Sequence, residues 1–357
     1  MTARILIMAG GTGGHVFPAL AVADELKAQG HDIAWVGTKK GIEAKLVPAS
    51  GYVLNYISVQ GLRGNGLLGW LLAPFKLIKA VIEGIAIIRR FKPDVVLGLG
   101  GFASGPGGVA AKLMRKPLVI HEQNAIPGLT NKTLSRVANR VLEGFPNSFN
   151  AEKNALWVGN PVRKTIEELA EPKLRFSDRT GAIKVLVLGG SLGAKSLNTL
   201  LPKAFANIDT EIQIKHQCGA KHIDDCKHNY SEVSVDAEVT AFIESMADAY
   251  AWADLVICRA GALTIAEVTA AGLAALLVPY PYAVDDHQTH NADGLVRAHA
   301  AMVMQESEMT LELLTKTIEE LVASREQLLD MAEKAKGLAK RGTAKQIANI
   351  CLEMTHG

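Results

Sequence analysis

Gly10-Gly-Thr-Gly-Gly-His15 places four glycines and one imidazole within six residues. An imidazole titrates near neutrality and can take a proton from an attacking hydroxyl. The glycines let the backbone bend sharply and let a ligand come close. Two further stretches share this make-up: Gly189-Gly190-Ser191-Leu192-Gly193, and Cys258-Arg-Ala-Gly261-Ala-Leu-Thr264-Ile-Ala-Glu267. In each, a turn leads into a helix, whose free N–H groups and positive dipole end suit an anion such as phosphate. The Thr264 hydroxyl adds a donor, and Glu267, one turn on, can reach ribose hydroxyls beside the phosphates. Two plainer readings stand beside these: glycine turns also serve only to pack a strand on its helix, and an acid early in a helix is favoured by the dipole alone. Asp285-Asp-His287-Gln288-Thr-His290-Asn291 reads as a loop after Val278-Pro279. Its amide and imidazole groups suit the hydroxyls of a sugar.

Several chemistries lose ground on spacing. A dinucleotide dehydrogenase needs a third glycine where Val16 stands, and an acid ending the second strand, which instead reads Trp35-Val-Gly37-Thr38. A P-loop needs glycine where Ala194 precedes Lys195-Ser196. His216, Cys218, His222, Cys226 and His228 crowd one stretch, but their spacing matches no standard zinc finger or ribbon. They read better as surface residues on a variable helix. No carboxylate cluster offers a magnesium site, and the expectation is no metal and no cofactor. The formal net charge of +2 gives no argument for nucleic acid. Four scattered cysteines without a CxxC pair, and no signal peptide, suit a reducing cytoplasm.

These residues need a scaffold that brings strand ends and helix starts together. Apolar runs alternate with helical periodicity: Arg4–Met8, Asp32–Val36, Asp94–Gly98, Leu118–His121 and Arg140–Leu142 read as strands, and Pro18–Gln29 as the first helix. The pattern restarts at Lys184–Leu188, with Ala194–Phe205 as a helix. Ile212–His216, Glu238–Phe242, Leu255–Cys258, Ala275–Val278 and Ala301–Met304 follow as strands. The reading is α/β, with two Rossmann-like domains facing each other across a cleft. The expected boundaries are 1–160, joined by the C-terminal helix 341–357, and 161–340.

Leu62–Lys92 differs from its surroundings. Six basic residues (Arg63, Lys76, Lys79, Arg89, Arg90, Lys92) stand against Glu83 in an aliphatic run that includes Trp70 and Phe75. Composition alone leaves two readings: contact with an anionic membrane surface, or core helices whose lysines snorkel. No uncharged run is long enough to span a membrane.

Taken in order, Gly10–His15, Gly100-Gly-Phe-Ala-Ser-Gly-Pro106, His121-Glu-Gln-Asn124, Gly159-Asn-Pro-Val-Arg163, Gly189-Gly-Ser191, Arg259–Glu267 and His287-Gln288…Asn291 resemble the undecaprenyl-diphospho-muramoyl-pentapeptide N-acetylglucosaminyltransferase (MurG) family over essentially the whole chain. The resemblance implies the two-domain GT-B glycosyltransferase fold. It implies inverting transfer of N-acetylglucosamine from UDP-GlcNAc to the 4-hydroxyl of the muramoyl sugar of lipid I, giving lipid II and UDP. It also implies a peripheral protein at the cytoplasmic face of the inner membrane, in peptidoglycan synthesis, cell shape and division, touching lipid through Leu67–Ile82 and meeting other cell-wall synthesis and division proteins. The first domain would take the acceptor and the second UDP-GlcNAc.

The same resemblance puts Thr12, Gly13 and Gly14 against the donor's diphosphate and sugar, with Asn124 also at the sugar. Arg163 and Ser191 would contact the nucleotide side, and Ile243 would read the uracil through its backbone. Ala262, Leu263, Thr264, Ile265, Ala266 and Glu267 would hold phosphate and ribose, and Gln288 the GlcNAc hydroxyls, with His287 as the candidate beside it. His121, Asn131 and Asn198 would lie on the acceptor side. Phe102 stands where the family often has Tyr, so one hydroxyl contact is absent. Inversion needs a base, and His15 is favoured over Glu122 because the glycine turn aims it at the substrate. Helix N-termini, Ser191 and Thr264 would stabilise the leaving diphosphate. A UDP-GlcNAc 2-epimerase of the same fold is the nearest alternative, and a non-catalytic membrane adaptor that binds UDP-GlcNAc is another.

Overall fold

A computed structural model describes residues 2–59, 67–190 and 193–355. The chain divides into two units: Met1–Arg163 with Gly342–Gly357, and Lys164–Arg341. Each is built on a parallel sheet.

In unit 1 the strands are β1 (Arg4–Met8), β2 (Asp32–Gly37), β3 (Val53–Tyr56), β4 (Val95–Gly98), β5 (Leu118–Glu122), β6 (Arg140–Glu143) and β7 (Leu156–Trp157), in the order β3-β2-β1-β4-β5-β6-β7. Strands covered on both faces read as unbroken apolar runs; in β1, Ile5, Leu6, Ile7 and Met8 are all buried. The order reverses between β1 and β4, the switch point where ligands of open α/β sheets bind. Register aligns Met8 with Gly98, so the turns after β1 and β4 leave the sheet at one level.

The helix after β1 runs Gly13–Ala28 rather than starting at Pro18. His15 is therefore its third residue and not part of the loop. Pro18 sits inside the helix and has no N–H to give the Gly14 carbonyl. The run after β3 is one helix, Leu67–Phe91. It crosses the helix Ser104–Leu113 closely: a Cβ on Gly84 would lie 3.0 Å from the Ala110 Cβ. The helix Thr343–Glu353 closes unit 1. Its Ile347, Ala348 and Cys351 join the core that holds Val22 and Leu26, and Thr343 Oγ1 donates to the Val158 carbonyl at 2.9 Å.

In unit 2 the strands are β8 (Ile183–Leu188), β9 (Ile212–Gln217), β10 (Glu238–Thr240), β11 (Leu255–Cys258), β12 (Ala274–Leu277) and β13 (Ala301–Val303), ordered β10-β9-β8-β11-β12-β13. The reversal falls between β8 and β11, where Leu188 pairs with Cys258. The second and third glycine stretches follow these two strands. Among the described residues, no helix is long and apolar enough to cross a membrane.

Candidate functional site

In unit 1 two turns meet backbone to backbone. Gly11 has φ 92°, Gly100 φ 90° and Gly101 φ 80°, all in the region that favours glycine. A side chain on Gly101 would collide with the Gly10 carbonyl oxygen. Ser104 Oγ lies 2.8 Å from the Met8 carbonyl and 2.6 Å from that of Gly100, joining the ends of β1 and β4. Beneath the first turn sits Glu43, fully buried. Its Oε2 accepts from Gly11 N at 2.9 Å, and its Oε1 from Thr38 N at 2.8 Å and Thr38 Oγ1 at 2.7 Å.

His15 is half-buried, with Nδ1 3.3 Å from Thr12 Oγ1. A Cβ on Gly100 would stand 2.8 Å from its Cδ2 and 3.0 Å from its Nε2, so the imidazole edge lies against the second turn. Thr12 and Gly14 are exposed and Gly13 is half-buried.

Glu122, 2% exposed, has both oxygens occupied. Oε1 accepts from Asn124 N (2.9 Å) and Nδ2 (3.1 Å), and Oε2 from Gly128 N (3.1 Å) and Asn131 Nδ2 (2.9 Å). The carboxylate shapes the loop from Gln123 to Gly128 and offers an incoming proton little room. Asn131 also donates to the His121 carbonyl at 3.0 Å. His121 is fully buried. Its Nδ1 accepts from Gln123 Nε2 at 3.1 Å, so its Nε2 carries the proton given to the Gly159 carbonyl at 2.8 Å. Burial pushes its pKa down to about 4, leaving it neutral. His121 and Asn131, expected at the acceptor, are thus buried supports of the loop in this structure. Asn160 Nδ2 donates to the Gln123 carbonyl at 2.9 Å and binds the same loop to the segment ending at Arg163, whose guanidinium lies 5.4 Å over the Phe17 ring.

In unit 2 the corresponding turn is held by Gln217. Its Oε1 accepts from Gly190 N at 3.1 Å; its Nε2 gives to the Gly190 carbonyl at 2.9 Å and to that of Ala241 at 3.1 Å. Ser191 and Leu192 lie outside the described residues. The helices Lys195–Phe205 and Ala262–Ala271 begin at Ala194 and Gly261 with no side-chain cap and no acid in the first turn. By contrast, the helices starting after Ser245, Thr310 and Ser324 are capped by those hydroxyls. The uncapped starts flank the switch point and can donate their backbone N–H groups to a phosphate.

Ala262, Ile265 and Glu267 are buried, and Leu263, Thr264 and Ala266 half-buried. Glu267 Oε2 accepts from the Tyr250 hydroxyl at 3.0 Å. Arg259 pairs with Glu306, lies 3.1 Å from Ser196 Oγ, and donates to the Val278 and Pro279 carbonyls at 3.2 Å each. Ser196 Oγ donates to Glu306 Oε2 at 2.8 Å. This network ties the ends of β11, β12 and β13 to the start of the helix Lys195–Phe205. Asn291 Nδ2 gives to the Ala260 carbonyl at 3.2 Å, and Gln288 Oε1 accepts from Tyr280 N at 2.9 Å. Gln288 lies on the helix His287–Arg297 rather than in a loop, with its amide oxygen turned to the Tyr280 N–H. Ile243 borders a cavity of about 130 Å³ with Lys215, Glu238, Thr240, Ser245 and Asp248.

The surface reading of the histidine–cysteine stretch is corrected here. His216, Cys218 and Cys226 are buried core residues, not surface residues. His216 Nδ1 lies 2.9 Å from Tyr230 Oη and its Nε2 3.0 Å from Asn198 Oδ1; burial pushes its pKa down to about 3. Asn198, expected at the acceptor, is buried and uses its amide on His216 and on the Cys218 carbonyl at 3.1 Å. It braces the glycine turn, since a side chain on Gly193 would strike that same Cys218 carbonyl. Among the described residues, no group of three or more His, Cys, Asp or Glu side chains could hold a metal. Glu43, Gln217, Tyr250 and Glu306 went unnoticed in the sequence, because their partners are distant along it.

Residues 5–143 match the glycosyltransferase family 28 N-terminal domain, and residues 184–347 its C-terminal domain. A UDP-N-acetylglucosamine–N-acetylmuramyl-(pentapeptide) pyrophosphoryl-undecaprenol N-acetylglucosamine transferase of Nitrosococcus oceani is 52% identical over 100% of both chains. One of the same name from Marinobacter nauticus is 49% identical over 99% of this chain and 98% of its own. The crystal structure of Acinetobacter baumannii MurG superposes with a TM-score of 0.84 at 41% identity, covering 98% of this chain and 99% of that one. The glycotransferase of kitacinnamycin, 17% identical with a TM-score of 0.73 over 99% and 100% of the two chains, shares the fold.

Proposed function

Because the chain belongs to glycosyltransferase family 28 and, within it, to the UDP-N-acetylglucosamine–N-acetylmuramyl-(pentapeptide) pyrophosphoryl-undecaprenol N-acetylglucosamine transferases, we propose the following division of labour for its two units. The reaction moves N-acetylglucosamine from UDP-GlcNAc to the muramoyl sugar of the lipid-linked pentapeptide, with UDP as the other product. The observation that carries this is identity of about half, end to end, with transferases of that name. The 2-epimerase alternative has no such support.

Unit 2 binds the nucleotide. The open starts of the helices Lys195–Phe205 and Ala262–Ala271 donate to the diphosphate and take up the charge it gains on leaving. Thr264 adds its hydroxyl, Glu267 accepts from the ribose, and Ile243 reads the uracil. Gln288 donates to a GlcNAc oxygen. Unit 1 does the proton chemistry: the His15 imidazole takes the proton of the muramoyl hydroxyl as that oxygen attacks the anomeric carbon and UDP departs from the opposite face. Glu122 stays a structural carboxylate. Thr12, Gly13, Gly14 and Asn124 face the sugar, and Arg163 the nucleotide side.

Unit 1 also meets the membrane, at the cytoplasmic face of the inner membrane. On the helix Leu67–Phe91, Phe75 (71% exposed), Ile78 (58%) and Ile82 (61%) present apolar surface. An open groove of about 1040 Å³ beside it is lined by Lys39, Lys40, Lys76, Lys79 and Arg90 against Glu83. Exposed apolar side chains next to a cationic groove fit an anionic lipid surface, and sedimentation with anionic against neutral vesicles is the measurement. Cell-wall synthesis and division proteins are its proposed partners.

The test of function is UDP release from UDP-GlcNAc with and without a lipid I analogue. Release that needs the acceptor, with GlcNAc on the product, is the expected result. Isomerisation of the nucleotide sugar without acceptor would establish the epimerase, and binding without release the adaptor.

A further inference from the structure

On the reading that Glu267 accepts from the ribose, we propose that Tyr250 is the positioning residue for that carboxylate, and so sets how strongly the site requires ribose hydroxyls on its nucleotide. Glu267 lies in the second turn of the helix Ala262–Ala271, 5% exposed, and Tyr250 is fully buried on the helix Met246–Trp252. The phenol donates to Oε2 at 3.0 Å. A glutamate has three rotatable bonds, and a carboxylate must lie in one plane to take two hydrogen bonds from a vicinal diol. With one oxygen held on the Tyr250 side, that plane is set before nucleotide arrives, and the cost of ordering it is removed from binding.

Tyr250 is itself held. Its carbonyl accepts from Arg175 Nη1 at 3.1 Å, while Arg175 Nη2 reaches the carbonyls of Ala271, at 2.7 Å, and Gly272 at the end of the helix that carries Glu267. One guanidinium therefore locks the phenol's helix to the carboxylate's helix. Burial lowers the Arg175 pKa to about 10, which leaves it charged at neutral pH. The Ser245 hydroxyl, accepting from Asp248 N at 3.3 Å, fixes the start of Met246–Trp252. None of these contacts involves substrate, so the carboxylate is oriented by the fold alone.

The test measures the affinities of UDP, 2′-deoxy-UDP and 3′-deoxy-UDP for the intact protein, with melting temperature as a check on folding. The wild type should prefer UDP over both deoxy forms by about tenfold or more, the scale of a hydrogen bond to a charged group. In Tyr250→Phe, UDP affinity should fall about fivefold to tenfold while the deoxy forms change less than twofold, so that the preference collapses. In a Glu267→Ala background, Tyr250→Phe should add nothing. An equal loss for all three nucleotides, or a wild-type preference retained in Tyr250→Phe, would overturn the proposal while Glu267 kept its ribose role. A preference unchanged in Glu267→Ala would remove the ribose reading and the proposal with it. Should Tyr250→Phe fail to fold, Glu267→Asp draws the carboxylate off the phenol with Tyr250 in place, and retention of the preference there overturns the proposal equally.

Discussion

The two glycine turns look alike in sequence, yet the side chain beneath each differs in charge. Under the turn of unit 1 lies the carboxylate of Glu43, accepting the Gly11 N–H. Under the turn of unit 2 lies the carboxamide of Gln217, accepting the Gly190 N–H and donating back to the Gly190 carbonyl. Both clamps fix the bend, but they leave different fields. A buried negative charge repels a diphosphate and stabilises a group that becomes positive, as an imidazole does when it takes a proton. A neutral amide leaves the attraction of nearby helix starts undiminished. On the proposed reading, the contrast suits phosphate at the turn of unit 2 and proton transfer at that of unit 1.

The largest expected effect breaks the contrast at its chemical end. His15→Ala should lower turnover by about 10² to 10⁴ and leave UDP affinity within about twofold, read by acceptor-dependent UDP release and by nucleotide titration. Glu122→Ala should act chiefly on melting temperature, since it strands four donors of one loop. If Glu122→Ala folds normally and loses as much turnover as His15→Ala, the proton has been assigned to the wrong residue.

A smaller effect comes from exchanging the clamps. Gln217→Glu puts a carboxylate under the turn proposed to meet the diphosphate. At ~7 Å and an effective dielectric of ~20 this costs about 2 kcal/mol, or about thirtyfold in UDP affinity. Glu43→Gln should leave UDP affinity nearly unchanged. Isothermal titration of both variants checks the pair, and equal losses would end the distinction between the turns.

The parts of the molecule that the sequence made legible are those whose signal is local. β1 and β11 read as buried strands because both faces are covered and the apolar run is unbroken. β3 and β7 escaped notice: they are edge strands, with Val53, Tyr56, Leu156 and Trp157 exposed. The helix start at Gly13 ran against the poor helix propensity of glycine. Motif glycines were visible as punctuation, but the clamps were not, because Glu43 is 32 residues from Gly11 and Gln217 is 27 from Gly190. His216 and its cysteine neighbours read as surface by residue type, yet the fold buries them, with Tyr230 and Asn198 as hydrogen-bond partners for the imidazole.

The mildest test uses a feature the units share among the described residues, one buried neutral histidine each. His121 holds the Gly159 carbonyl beneath the loop Gln123–Gly128 of unit 1, and His216 holds Asn198 beneath the glycine turn of unit 2. Burial lowers their pKa values to about 4 and about 3, against about 6.5 in the unfolded chain. The unfolded state therefore binds more protons between those values, so stability is fully present above pH ~6.5 and declines as pH falls from there towards the folded-state values. From pH ~6.5 down to about 5 both imidazoles stay neutral in the folded chain, so the two units contribute the same slope. Thermal melts from pH 7.5 to 5 should show a falling melting temperature in the wild type, and a shallower fall, by a similar amount, in His121→Gln and in His216→Gln. An unchanged slope in both variants would mean that other groups carry the acid sensitivity.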